Sequence, residues 1–400
     1  MTLLTIEDTS VPGPGKLRWS DLPLLRLGFR PFYLLAAALA AISVPLWIAR
    51  YFGLMPQLAH VDLNWHMHEM IFGFAIAVII GFLYTAGRNW TGLWTPRGGA
   101  LAAIAGLWIA GRAAMLLAPP LPAALIDLAF LPVAAWPLYR VLQRSGNKRN
   151  LFLVLLLGLL AMTNLGFHAA RLGWLAMAPA RPVHAAIMII VIIEAAIGGR
   201  VIPMFTANAV RGVRTVVNQR RDRITLALTA NAGLAWAFAL PGPMVAGIAV
   251  AAAAAQATRL AGWKPLCTLR NPLLWILHAS YAWLVAGLAL LALAALGVVS
   301  ASAAFHVLAV GSMAGLILGM ITRTALGHTG RLLAAGKSET LMYALAQAGV
   351  LARLAAAVGP GDWRNAALVL AAACWTAAFA LYLLVYAPYL FRARIDGKEG

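Results

Sequence analysis

The chain has 400 residues, of which 62% are hydrophobic and only 11% charged. Soluble domains carry about 25% charged residues, so this balance excludes a soluble globular fold and points to a lipid-embedded chain. The net charge of +19 would suit nucleic acid, but no aromatic or motif pattern accompanies it, and its placement follows membrane topology instead.

A helix needs about 20 mostly apolar residues to cross a hydrocarbon core of ~30 Å. Twelve stretches qualify in chain order: 31–50, 65–85, 98–117, 121–141, 150–172, 182–205, 224–240, 243–260, 272–296, 301–323, 338–358 and 363–391. The eighth is the most marginal, a short alanine-rich run. The expected fold is therefore an all-α polytopic bundle of about twelve transmembrane helices in a single domain over residues 1–400. Residues 1–26 are polar and rich in Pro and Gly, without the charged start and short apolar run of a cleavable signal. They read as a cytoplasmic segment, and residues 206–223 as a central basic cytoplasmic loop.

With the N-terminus inside, the inner loops collect Arg140, Arg144, Lys148 and Arg149, then Arg211, Arg214, Arg220, Arg221 and Arg223, then Arg259, Lys264 and Arg270. The outer loops keep only scattered arginines such as Arg50, Arg171, Arg181 and Arg364. The positive-inside rule thus puts both termini in the cytoplasm, which requires an even number of spans. The bilayer is a partner by composition, with anionic lipid as a further contact of the basic loops. Cys267 and Cys374 lie far apart in sequence, so neither a disulfide framework nor a cysteine zinc site is expected.

Ionisable side chains inside a membrane are costly and each asks for a reason. The second segment opens Trp65-His66-Met67-His68-Glu69-Met70. The fifth reaches His168 about one turn before its end, the sixth has His184 in its first turn, and the tenth has His306 in its second. At 1.5 Å per residue these five histidines lie within roughly 8 Å of the outer boundary. His278 lies nearer the inner side, and His328 is expected in an inner loop. Four helices presenting imidazole at one depth is how a bundle builds a metal or cofactor site. Imidazole suits copper, iron and zinc, and a haem iron takes one or two axial histidines. A lone histidine near a helix end is more often a plain interfacial hydrogen-bonder, but five together argue otherwise.

His66 and His68 are about 200° apart on a regular helix and so face opposite ways. Two centres, one on each side of the second helix, is the economical reading. By the same geometry His66 shares a face with Glu69 and Met70. Glu69 is either a partner that orients a ligating imidazole or an acid placed at a helix N-terminus. Asn164, His168 and Arg171 form one stripe; Arg171 either pairs an anionic cofactor group or marks the interface. Glu194 lies roughly 18 Å deep and is either a proton relay or a structural hydrogen-bonder. Arg112 and Asp127 read as a structural ion pair, Arg200 and Arg323 as side chains reaching for the interface. Gly311, Gly315 and Gly319 form a small-residue stripe expected to pack closely on a neighbouring helix.

Several stretches resemble the NnrS family when taken together. They are Leu27-Gly28-Phe29-Arg30-Pro31-Phe32, the run 65–74, Asn89-Trp90-Thr91-Gly92, the run 198–209, and Gly327-His328-Thr329-Gly330-Arg331. The resemblance implies a haem- and copper-containing bacterial inner-membrane protein, linked to nitric-oxide metabolism, denitrification and resistance to nitrosative stress. It does not settle the reaction. On that footing haem, of b type, is expected among His66, His68, His168, His184 and His306, with Arg171 beside it. Copper is expected on remaining imidazoles among His66, His68, His184 and His306, with Met70 or Met188 if it is Cu(I). Nitric oxide or a related small molecule would be the small partner. Electrons would come from quinol or a periplasmic carrier, and protons through Glu194. A nitric-oxide-handling oxidoreductase, a secondary transporter and a haem or copper delivery protein all remain open.

Overall fold

A computed structural model describes residues 22–398. The described chain is mostly helical, with twelve long helices and no strand among the described residues. They are α1 (Phe29–Tyr51), α2 (Leu63–Thr91), α3 (Gly98–Leu117), α4 (Pro120–Arg144), α5 (Leu151–Arg171), α6 (Ala180–Ala209), α7 (Gln219–Ala237), α8 (Gly242–Gly262), α9 (Pro272–Ala295), α10 (Ala301–His328), α11 (Lys337–Val358) and α12 (Gly361–Phe391). Of residues 1–26, the first 21 lie outside the described residues.

Eleven of the twelve helices are long and apolar enough to cross a membrane. The marginal helix differs from expectation. The alanine-rich α8 qualifies, whereas α7 does not. Its first turn carries Gln219, Arg220, Arg221, Asp222 and Arg223, charges that the predicted span began just beyond. The central basic loop shrinks for the same reason: α6 runs on to Ala209 and α7 starts at Gln219, so only residues 210–218 remain between them. The tenth helix likewise runs past Arg323 to His328, which therefore ends a helix rather than sitting in a loop.

Chain neighbours pack on one another from α3 to α10, α11 pairs with α12, and α12 closes back on α1. The closure has a specific lock. Arg30, fully buried, donates through Nη1 to the carbonyls of Leu390 and Arg392, each at 2.8 Å. The start of α1 and the end of α12 thus meet on one side of the bundle, the even-span arrangement that the basic loops called for. Past α12 the backbone N–H of Ile395 donates to Thr329 O at 3.2 Å. There the Arg394 guanidinium holds the Asp396 carboxyl well below the usual carboxylate range.

Two helices form the centre. In α2 and α10, 78% of the apolar window is buried, against 61% or less in every other span. Both are interrupted at the same relative place. α2 turns π-helical over Glu69–Ala75 and α10 over Val307–Ala314, each directly after a histidine. Such wide turns are uncommon and cluster at functional sites. The glycine stripe of α10 explains how it packs. A Cβ at Gly315 would collide with Ser280 Oγ, and one at Gly319 would come within 2.8 Å of Leu277. Only hydrogen at these positions lets α10 press onto α9.

Candidate functional site: a histidine-lined cavity and a packed polar cluster

The five histidines gather at the end of the bundle away from the basic loops, and α2 divides them. On one face of α2 lies a cavity of about 520 Å³. Its walls come from six helices: Trp47 of α1, His66, Met70 and Phe74 of α2, His184 of α6, Phe305, His306 and Met313 of α10, Arg353 of α11, and Arg364 and Trp375 of α12. Both π-helical stretches contribute to its walls, through Met70 and Phe74 and through Ala309 and Met313. A wider turn advances each residue by less than the ~100° of an α-helix, which re-aims the side chains that follow His68 and His306.

Each cavity histidine is held differently. The His66 ring stacks on Trp47, with centroids 5.4 Å apart and planes 11° from parallel. Its Nδ1 is buried and has no hydrogen-bond partner, an orphan that a bundle tolerates only at a cost. His306 Nδ1 lies 2.7 Å from the Ser302 carbonyl. A carbonyl only accepts, so Nδ1 carries the proton and the Nε2 lone pair is left free, the form in which a histidine binds metal. The Arg353 guanidinium, 3.3 Å from the same Nδ1, is then a neighbouring charge rather than a donor to it. His184 stacks on Phe305, 3.8 Å apart and 2° from parallel. Its Nδ1 accepts from Trp236 Nε1 at 3.4 Å. In that form its other nitrogen holds the proton, so His184 is the least ready of the three to ligate. Met70 lines the same cavity. Met188 does not; it packs under Gly233 of α7.

On the other face of α2 the polar side chains are buried and bonded to one another. His68 and His168, from α2 and α5, both direct Nε2 at Asp127 Oδ2 of α4, at 3.1 and 3.0 Å. Asn164 Nδ2 donates to the same oxygen at 2.7 Å. Arg112 of α3 bonds the other oxygen of Asp127 and both oxygens of Glu69, the latter at 3.1 and 3.0 Å. His68 Nδ1 lies 3.1 Å from Glu69 Oε1. Asp127, His68, Glu69, Asn164 and His168 are all buried. With Arg112 charged and both carboxylates ionised, the cluster has one negative charge in excess. In a low-dielectric interior a proton on an imidazole or a bound cation would balance it. His68, Asp127 and His168 present one ligand atom each within 4.8 Å of one another. A histidine whose Nδ1–H is held by a carboxylate while Nε2 faces a metal position is a recurring arrangement.

The opposed faces expected of His66 and His68 are observed. Glu69 is a correction: it sides with His68, not His66, because the π turn begins at Glu69 and Arg112 draws the carboxylate across. Arg112 and Asp127 do pair, but as the hub of a larger network. Arg171 stands at the rim, 3.7 Å from Asp62, and does not line the cavity. Glu194 accepts from Ser312 Oγ at 2.8 Å and leaves Oε1 buried without a partner. It lines a smaller cavity of about 90 Å³, which shares Met313 with the large one. Trp47, Arg353 and Trp375 escaped sequence reasoning. Only Arg353 carried a signal, as an arginine inside an apolar segment.

The sequence matches the NnrS protein family over residues 23–394, a stretch that takes in every helix and both sites. The chain belongs to the NnrS family. No curated protein matches it. Every residue of the cavity and of the cluster named above therefore lies within the NnrS match rather than on an appended segment.

Proposed function

We propose that this NnrS protein is a haem- and copper-binding protein of the bacterial inner membrane that takes part in nitric-oxide metabolism or in protection against nitrosative stress. The observation that carries the reading is the cavity: three imidazoles from three helices face one space of about 520 Å³ at the end of the bundle away from the basic loops. That volume is in the range of cofactor pockets. The donor set suits a haem, with His66 and His306 as the iron ligands and His184, Trp47 and Phe305 as its walls. When bound, haem would supply an iron that exchanges electrons. The protein's own part is to hold the two imidazoles, keep water from the apolar walls, and position a protonatable carboxyl, Glu194, beneath.

The cluster on the other face suits copper better than haem. It offers two imidazole nitrogens and a carboxylate oxygen at close quarters and leaves no room for a macrocycle. His68, His168 and Asp127 would hold the metal, and Glu69 would fix the His68 ring. Quinol or a periplasmic carrier would supply electrons, and the position of the cavity at the side away from the basic loops favours the periplasmic face. The test is an optical spectrum and metal analysis of protein purified from haem- and copper-replete cells. A Soret band with near-stoichiometric copper is expected. Absence of the band sinks the haem assignment, and absence of copper sinks the second site. Consumption of nitric oxide over many equivalents under reductant would mark an enzyme, and stoichiometric loss a binder or delivery protein.

A further inference from the structure

The basic residues of a membrane protein are biased to one side, and this chain follows that rule closely. Arginines on the opposite side therefore ask for a local reason. Arg112 has Glu69 and Asp127, Arg171 has Asp62, and Arg181 donates from Nε to Ala237 O at 3.0 Å. Arg50, Arg353 and Arg364 have no carboxylate partner among the described residues, and of these Arg353 and Arg364 stand at the mouth of the large cavity. Arg353 is partly buried and its one hydroxyl contact is a donation from Nη2 to Ser302 Oγ at 3.0 Å. Arg364 is exposed and lines the same opening. A pair of like charges at an apolar, half-enclosed opening is unfavourable unless something anionic joins them.

We infer that Arg353 and Arg364 form a carboxylate-binding mouth, taking the acidic groups of an amphipathic, flat ligand whose apolar body fills the cavity between Trp47–His66 and His184–Phe305. The chemistry on each side of the opening decides the class. Below it the walls are aromatic and aliphatic, with ring pairs stacked within 11° of parallel. At it stand two forked donors whose geometry matches carboxylates in a bidentate manner. A ligand with a carboxylate at one edge and an apolar planar body satisfies both. The inference rests on the haem reading, under which the acidic groups are the two propionates, and it replaces Arg171 as their partner. It would also orient the group, with its acidic edge at the mouth and its apolar body against the aromatic walls. Arg353 is then a link between ligand and protein, because it also contacts Ser302, whose carbonyl holds His306.

The test compares haem with its dimethyl ester, which has the same body and no charge. Apoprotein in detergent is titrated with each, followed at the Soret band, for the parent and for R353Q, R364Q and the double variant. The parent is expected to bind haem about a hundredfold more tightly than the ester, with roughly tenfold lost for each arginine removed. Ester affinity is expected to be equal in all four proteins, which also reports that the cavity is intact. A shift of the propionate bending bands in the resonance Raman spectrum should accompany each loss. Equal affinity of the parent for haem and ester overturns the inference without any variant, as does an unchanged haem affinity in a double variant that binds ester normally. If the glutamine variants do not fold, R353K and R364K are expected to keep most of the preference for haem over ester, and its complete loss in folded lysine variants counts against the proposal. A parent that takes up neither ligand removes the haem reading itself. A parent that takes up both alike removes only the role of the arginines.

Discussion

On one face of α2, His68 has a carboxylate beside each of its ring nitrogens; on the other, His66 has no partner on Nδ1 and stacks on Trp47 beside a cavity of about 520 Å³. The two residues are two positions apart in sequence and share a helix. What separates them is what faces them. The His68 side meets charged and amide groups from α3, α4 and α5, every one bonded to another. The His66 side meets rings and methionines around a cavity, with Arg353 and Arg364 at its mouth. A histidine in a filled, charge-paired cluster ties helices together, so a change there is felt first as lost stability. A histidine facing a hollow adds little to the fold and is free to ligate.

The sharpest way to break this contrast is at the hub of the filled side. Asp127→Asn removes the negative charge that Arg112 pairs with and leaves one acceptor oxygen where two served Arg112 on one side and His68 and His168 on the other. Stripping one member from a buried charge network costs about 3–5 kcal/mol. Loss of monodisperse protein, or a large fall in Tm in detergent, is expected. His66→Ala, across the same helix, is expected to cost only about 1 kcal/mol, mostly through its contact with Trp47. Equal Tm values for the two variants would erase the distinction between the faces.

A smaller effect is expected at the seam that sets the depth of His306. Gly315→Ala forces a methyl against Ser280, and overpacking of this kind costs about 1–3 kcal/mol. Because the strain falls between α9 and α10, the variant should also weaken whatever His306 holds, read as a broadened or reduced Soret band. Unchanged stability and spectrum would mean that α10 can move off α9 without disturbing the cavity. The smallest effect is expected at Met70. Met70→Leu conserves volume and should cost less than about 1.5 kcal/mol, with copper content unchanged, since Met70 lines the cavity and not the cluster. Loss of copper alone in that variant would move the copper to the hollow side.

Much of this was legible in the sequence. Hydropathy and basic loops contained the bundle, its even number of long helices and the end at which the histidines collect. The opposed directions of His66 and His68 followed from the turn of a helix. The side of Glu69 did not, because nothing in Glu69–Ala75 announces a π turn, and the pull of Arg112 comes from a helix some forty residues on. The charged start of α7 fell outside the apolar reading for a related reason. Its charged first turn is satisfied in part by the neighbouring α8, where Arg259 Nε donates to Asp222 Oδ1 at 2.9 Å, a contact that no hydropathy reading of one segment contains. The cavity was invisible for a third reason: its walls come from six helices spread over more than three hundred residues, and an empty space is a property of their packing alone.

The central claim is that the two faces of α2 carry two separate centres. The most direct test is haem and copper content measured on the same preparations of the parent, His306→Ala and His168→Gln. The account predicts that His306→Ala loses haem and keeps copper, while His168→Gln loses copper and keeps haem. Loss of both in each variant, with the fold intact, would contradict it and join the five histidines into one site.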